Sequence, residues 1–146
     1  MKPALLDLNI LTALLWPAHE HHEAAHRWFE TRGKARWATC AFTQLGFVRL
    51  VSNPSFSRDA LSPGAAVSLL AANLTHARHE FWVENLPVPA AVEAVPRTLQ
   101  GHQQLTDVYL LALAKHHHGV LASFDRGLDT LAAGWAGSAI EIVSTG

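Results

Sequence analysis

Two short apolar runs in this chain end in an aspartate, Leu5-Leu6-Asp7 near the start and Ser123-Phe124-Asp125 near the end. A third aspartate, Asp107, follows Leu105-Thr106 and opens a strongly apolar stretch. If the two runs are neighbouring parallel strands, both of their aspartates reach the crevice outside the strands' carboxyl ends, where open α/β sheets bind ligands. Asp107, expected in the first turn of a helix opening at Thr106, aims a third carboxylate toward the same crevice. Three convergent carboxylates without matching cations repel one another, and such a set persists most readily around a divalent cation. Hard oxygen donors, with no cysteine set or compact histidine set, favour Mg²⁺ or Mn²⁺ over zinc. A metal of that kind activates water and neutralises charge building on a phosphodiester.

The competing reading is local. Aspartate is a preferred helix N-cap, and Asp7, Asp107 and Asp125 all stand at or near an expected helix start. The repeated strand-then-Asp pattern favours chemistry, as do Asn9 and Ser123, small polar residues suited to steadying the carboxylates.

The elements that must position these residues follow from the hydrophobic pattern. Pro3 suits the start of a strand through Leu6. Leu8, Leu11 and Leu15, with Ile10 and Leu14, recur at helical spacing up to Trp16, and Pro17 stops that helix. A second helix is expected from about His19 to Thr31, ended by Gly33, then a brief strand from Arg36 to Thr39. Helices over Phe42 to Val51 and from Ser62-Pro63 to Thr75 follow, the latter with proline at its first position. Glu80 to Val83 reads as a strand, and the Pro- and Ala-rich stretch 87–96 has no clear pattern. A helix from Thr106 to His117, broken by Gly119, leads to the strand Val120 to Phe124, a short helix from Arg126 to Ala133 and a last strand from Ile140 to Val143. Short apolar strands alternating with helices predict an α/β sandwich around a mostly parallel sheet.

Composition narrows the class. The chain has 146 residues, 49% of them hydrophobic and 16% charged, which suits one folded domain spanning 1–146. With 11 basic and 12 acidic residues the net charge is −1, so no broad basic face draws nucleic acid by charge alone. Cys40 is the lone cysteine, which excludes an internal disulfide and suits a reducing, cytoplasmic setting. No apolar run approaches the roughly 18 residues needed to span a bilayer, and Asp7 interrupts any signal-like stretch.

The ordered segments Leu5-Leu6-Asp7-Leu8-Asn9, Thr43-Gln44-Leu45-Gly46-Phe47-Val48-Arg49-Leu50, Leu105-Thr106-Asp107 and Leu121-Ala122-Ser123-Phe124-Asp125 together resemble the PIN-domain family, specifically VapC-type ribonuclease toxins of bacterial toxin–antitoxin pairs. The resemblance implies a three-layer α/β/α sandwich with a central parallel sheet. It implies Mg²⁺- or Mn²⁺-dependent hydrolysis of RNA phosphodiesters, homodimerisation and neutralisation by a cognate antitoxin protein. Asp7, Asp107 and Asp125 match the family's acidic residues, whereas Gln44 stands where the family usually has glutamate. An amide there can orient water or substrate but supplies no charge and cannot act as a base. Asp129, four residues after Asp125 and expected on the same helix face, is a candidate fourth carboxylate.

Two other functions compete. Asp7 at a strand end suits an aspartate-nucleophile phosphatase, but such enzymes want a second aspartate where this chain has Asn9. A PIN-like binding module that no longer cuts is the other, and Gln44 is the feature that admits it. Arg49 and Arg126 read first as solvated or ion-paired residues; the competing reading turns Arg49 toward phosphate or a partner chain and Arg126 toward a scissile or flanking phosphate. The histidine groups His19, His21, His22, His26 and His116-His117-His118 lack a complete ligand set and read as structural. Trp16, Trp28 and Trp37 suggest core and a surface covered by a partner chain.

Overall fold

The computed structural model describes residues 1–93 and 103–146. The elements are β1 (Ala4–Leu6), α1 (Leu8–Leu15), α2 (His22–Thr31), β2 (Trp37–Thr39), α3 (Ala41–Val51), α4 (Pro63–Leu74), β3 (His79–Phe81), α5 (Val88–Val92), α6 (Gln103–His116), β4 (Val120–Ser123), α7 (Gly127–Ala132) and β5 (Ile140–Ile142). A 3₁₀ turn, Gly137–Ala139, leads into β5. The stretch 87–96, without a pattern in the sequence, contains α5; its residues 94–96 lie outside the described residues.

The strands form one sheet in the order β3-β2-β1-β4-β5, and every adjacent pair is parallel. β1 is central and fully buried. Alternate residues of such a strand face opposite sides of the sheet. Ala4 and Leu6 accordingly join a core with α1, α3 and α4, whereas Leu5 joins a second core with α6 and α7. Ala122 and Leu121 of β4 divide the same way. The sheet is therefore the middle of an α/β/α sandwich, as the pattern predicts.

The strand order places a switch point between β1 and β4. The connection from β1 leaves through α1 on one face, and that from β4 leaves through α7 on the other. A crevice opens at the carboxyl ends where such connections diverge. The register pairs Leu6 with Ala122, and the Asp7 N–H donates to the Ala122 carbonyl at 2.9 Å, so the two strand ends lie side by side.

Local signals set the helix limits. Ser62 Oγ accepts from Ala65 N at 3.2 Å with Pro63 at the first helical position, as expected. α2 begins at His22 rather than His19, because His19 Nδ1 accepts the His21 N–H at 3.0 Å and holds a turn there. α6 ends differently from the sequence expectation. The left-handed residue is His118 (φ 57°), and the Gly119 N–H reaches back to the Ala114 carbonyl, the pattern of a Schellman closure. Gly119 is needed for close approach instead: a Cβ there would stand 2.5 Å from the Pro3 carbonyl oxygen and 2.7 Å from the Trp82 ring.

Candidate active site

Asp7 follows β1 directly and caps α1, its Oδ1 accepting the Leu8 N–H at 2.8 Å. Its Oδ2 accepts from the Ser123 hydroxyl at 2.7 Å. Ser123 is fully buried and serves as a hub, because its oxygen also receives Asn9 Nδ2 and the Asp125 N–H, both at 3.1 Å. Asn9 Oδ1 takes the Phe124 N–H at 3.3 Å, so β4's exit is tied to α1 by side chains on both. Asp125 turns back on the next residues, its Oδ1 accepting from Gly127 N at 2.9 Å.

Asp7 is only 9% exposed, and burial pushes its carboxyl above the usual range. The hydrogen bonds from Ser123 and Leu8 oppose that rise, and the charge of Asp125 adds to it. Asp107 is raised further, to about 6, first by burial, then by Asp7 and then by Asp125. The three aspartates thus share one electrostatic environment. Among the described residues the ion pairs are His21–Glu20, Arg32–Glu141 and Arg36–Glu80, and none engages this trio. Nor, among those residues, do any three His, Cys, Asp or Glu side chains already enclose a metal-sized space. Hard-oxygen donors that repel one another and lack a cationic partner, Asp7 buried, Asp107 half-buried and Asp125 exposed, still suit a divalent cation.

Asp107 is not where the sequence placed it. α6 starts by Gln103, so Asp107 lies beyond the first turn and is no N-cap. A helix feeding a parallel strand runs antiparallel to it, and α6 packs on β1 and β4. Its early residues therefore lie at the carboxyl edge of those strands, which is how Asp107 joins Asp7 and Asp125. The capping explanation holds for Asp7, fails for Asp107, and is replaced by a turn contact at Asp125, since Arg126 is the N-cap of α7.

Asp129 sits exposed on α7 while Asp125 precedes that helix, so the two do not share a helix face, and Asp129 is not among the charges acting on Asp7 or Asp107. Gln44 lies early in α3, at the sheet's carboxyl edge one strand from Asp7, with Nε2 donating to Thr39 Oγ1 at 2.9 Å. Thr39 in turn faces His79 Nε2 at 2.8 Å, a connection the sequence spacing did not reveal. Arg49 and Arg126 are exposed, as expected.

The histidines and tryptophans are mostly structural. His22 Nδ1 and His26 Nε2 meet the Ala13 and Leu14 carbonyls at 2.7 and 3.0 Å, closing the free end of α1. His117 stacks on Trp82 at 4.4 Å. Trp16 and Trp37 are buried in the core, and Trp28 donates to Glu141 at 2.8 Å, so these tryptophans are not an exposed patch. The exposed large apolar side chains lie elsewhere, Leu45, Val83, Val88 and Val67 foremost after the terminal Met1.

The family described as PIN domain matches residues 4–134 of the chain. The chain belongs to the PIN-domain family. Within it, this PIN domain is 40% identical to ribonuclease VapC39 of Mycobacterium tuberculosis over 132 residues, covering 90% of the chain and 95% of that protein. It is 41% identical to ribonuclease VapC44 of the same organism over 126 residues, covering 86% and 87%. Ribonuclease VapC38, also from M. tuberculosis, is 36% identical over 141 residues, covering 97% and 98%. Relatedness of this extent makes it a VapC-type PIN domain. Two solved structures share the fold. VapBC2 from Rickettsia felis, bound to a promoter DNA fragment, aligns with TM-score 0.67 at 14% identity over 97% of the chain and 99% of its own. FitAcB from Neisseria gonorrhoeae aligns with TM-score 0.54 at 20% identity over 97% of each.

Proposed function

We propose that this PIN domain is the ribonuclease toxin of a toxin–antitoxin pair, a hydrolase that cuts RNA phosphodiesters with Mg²⁺ or Mn²⁺ held by Asp7, Asp107 and Asp125. The observation that carries the reading is the convergence of Asp7, Asp107 and Asp125 at the carboxyl edge of β1 and β4, where burial first and then the charges of the other two raise the Asp107 carboxyl to about 6. Such mutual repulsion between groups contributed by β1, α6 and the exit of β4 is tolerated for the sake of a site. A bound divalent cation there supplies charge neutralisation at the scissile phosphate and a more acidic water.

The chain's own residues do the rest. Ser123 and the Leu8 N–H lock the Asp7 carboxylate in one orientation. Asn9 and Ser123 hold the backbone around Phe124 and Asp125, fixing the second carboxylate against the first. Gln44 orients water or substrate as a neutral group. Asp129, exposed on α7, remains a candidate outer ligand. The phosphatase alternative is weakened because the Asn9 side chain is committed on both arms, to Ser123 and to Phe124 N.

The similarity to VapC ribonucleases supports a cognate antitoxin as the protein partner, and the exposed Leu45 and Val67 of α3 and α4 offer apolar surface for protein contacts. Homodimerisation, carried from the family, is checked by sedimentation of the purified chain. Buried, unpaired Cys40 agrees with a reducing cytoplasm, and no helix among the described residues is long and apolar enough to cross a membrane. The test is cleavage of total bacterial RNA with Mn²⁺, mapping the new ends. Asp7→Asn and Asp125→Asn should abolish cleavage while the circular dichroism spectrum is retained. Full activity in either variant refutes the mechanism.

A further inference from the structure

The hydrogen bonds behind Gln44 have a polarity that determines which arm of its amide is free. Thr39 ends β2 with no exposed surface, between Gln44 Nε2 at 2.9 Å and His79 Nε2 at 2.8 Å. Its hydroxyl has one proton to give. Gln44 Nε2 donates to the Thr39 oxygen, which leaves the one Thr39 proton for His79 Nε2. Burial holds the His79 ring toward its neutral form, in which one ring nitrogen keeps a lone pair to take that proton.

The Thr39 oxygen can only accept from Gln44. Gln44 must present its NH₂ to Thr39, because the flipped amide would set two lone pairs against each other. The arm left over at the sheet's carboxyl edge is the acceptor oxygen Oε1. His79 is itself held firmly: its ring packs against Trp37 with centroids 4.6 Å apart, and its backbone N–H donates to the His76 carbonyl at 3.0 Å. The charged or titratable groups that act on it are Glu80 and His76.

We propose that Thr39 and His79 are positioning residues that set the Gln44 amide, so that a neutral oxygen acceptor stands one strand from Asp7. This rests on the reading of Gln44 as the group that orients water or substrate during RNA cleavage. It also accounts for an amide where the PIN-domain resemblance implies an acid. A glutamate at 44 has no N–H to give Thr39 and would compete with His79 for the one hydroxyl proton. Glutamine is the side chain that the buried Thr39–His79 pair selects.

The experiment combines nitrogen NMR of the full-length, metal-free chain with cleavage of total bacterial RNA in Mn²⁺. In the wild type, His79 should carry its proton on Nδ1, and the Gln44 side-chain amide protons should be protected from exchange. Thr39→Val, which keeps the volume and removes the hydroxyl, should erase that protection, and Thr39→Ser should restore it. At saturating RNA, Thr39→Val and Gln44→Leu should each slow cleavage roughly five- to tenfold, the scale of one hydrogen bond. The double variant should be no slower than either single one, since both remove the same device. Gln44→Glu should lose the protection at Thr39 and gain no rate.

A proton on His79 Nε2, or unchanged Gln44 amide protons in Thr39→Val, overturns the proposed polarity. Additive losses in the double variant reduce Thr39 to a merely structural residue and overturn its positioning role. If the NMR signatures hold but Gln44→Leu cuts at the wild-type rate, the role of Gln44 falls. The carboxylate site is then judged separately by Asp7→Asn.

Discussion

Replacing Asp107 with asparagine separates a binding site from an ordinary surface carboxylate. In the folded chain its pKa rises from 3.8 to about 6, through burial and the charges of Asp7 and Asp125. A folded-state pKa above the unfolded one means the group's stabilising contribution is fully present below about pH 4 and is lost as pH climbs through 6. The rise spans about two pH units, which at about 1.4 kcal/mol per unit corresponds to roughly 3 kcal/mol. The side chain is only partly buried, and solvent screening brings the expected effect to about 1 kcal/mol. Asp7, also raised, acts in the same direction. Metal-free wild type should therefore be less stable toward urea at pH 8 than at pH 5. Asp107→Asn should remove about 1 kcal/mol of that difference and raise the melting temperature at pH 8 by about 3 °C. Mn²⁺ should stabilise the wild type at pH 8 and leave the asparagine variant almost unchanged. An asparagine variant that is less stable than wild type in EDTA at pH 8, or one that keeps the full pH dependence, refutes the reasoning.

Two further substitutions probe the frame around the site. Ser123→Ala removes the donor to Asp7 and the acceptor for Asn9 and the Asp125 N–H, and should cost about 1–3 kcal/mol in urea denaturation, with a larger fractional loss of RNA cleavage than of stability. Retention of both would show that Ser123 does not hold the carboxylates. Gly119→Ala forces a Cβ against the Pro3 carbonyl and the Trp82 ring, so it should destabilise by about 2 kcal/mol or more, in excess of any change in helix propensity. Equal melting temperatures for this variant and the wild type would contradict the close approach.

Much of the site was legible from sequence because its logic is local. A buried strand followed by an aspartate marks the carboxyl edge wherever the strand lies, and Leu6-Asp7 and Ser123-Phe124-Asp125 both obey it. Asp107 was recognisable as a partner but misplaced within its helix. Thr106 has the side chain of a cap, and nothing in the preceding residues signals that α6 is already under way at Gln103. Asp129 was drawn toward Asp125 by a four-residue spacing that counts only when both residues are helical. What no local pattern carries is contact across the fold. Thr39 and His79 are 40 residues apart, and their pairing follows only once β2 and β3 are known to be neighbours. The core half of the tryptophan expectation holds for Trp16 and Trp37, whereas the bond from half-buried Trp28 to Glu141 spans 113 residues and no local pattern carries it.

The bond between Ser123 and Asp7 joins residues 116 positions apart, across the central strand pair. Asp7 is synthesised almost at once, yet the Ser123 hydroxyl that holds its carboxylate arrives only when β4 has emerged and docked beside β1. On the proposed site, a chain terminated before β4 lacks both Ser123 and Asp125 and should not cut RNA, whatever else in it has folded. Parallel pairing over such a separation is also slow to form, since the loop must close before the contact is gained. The order of synthesis itself acts as a delay, giving the cell an interval between making this polypeptide and possessing its cutting edge.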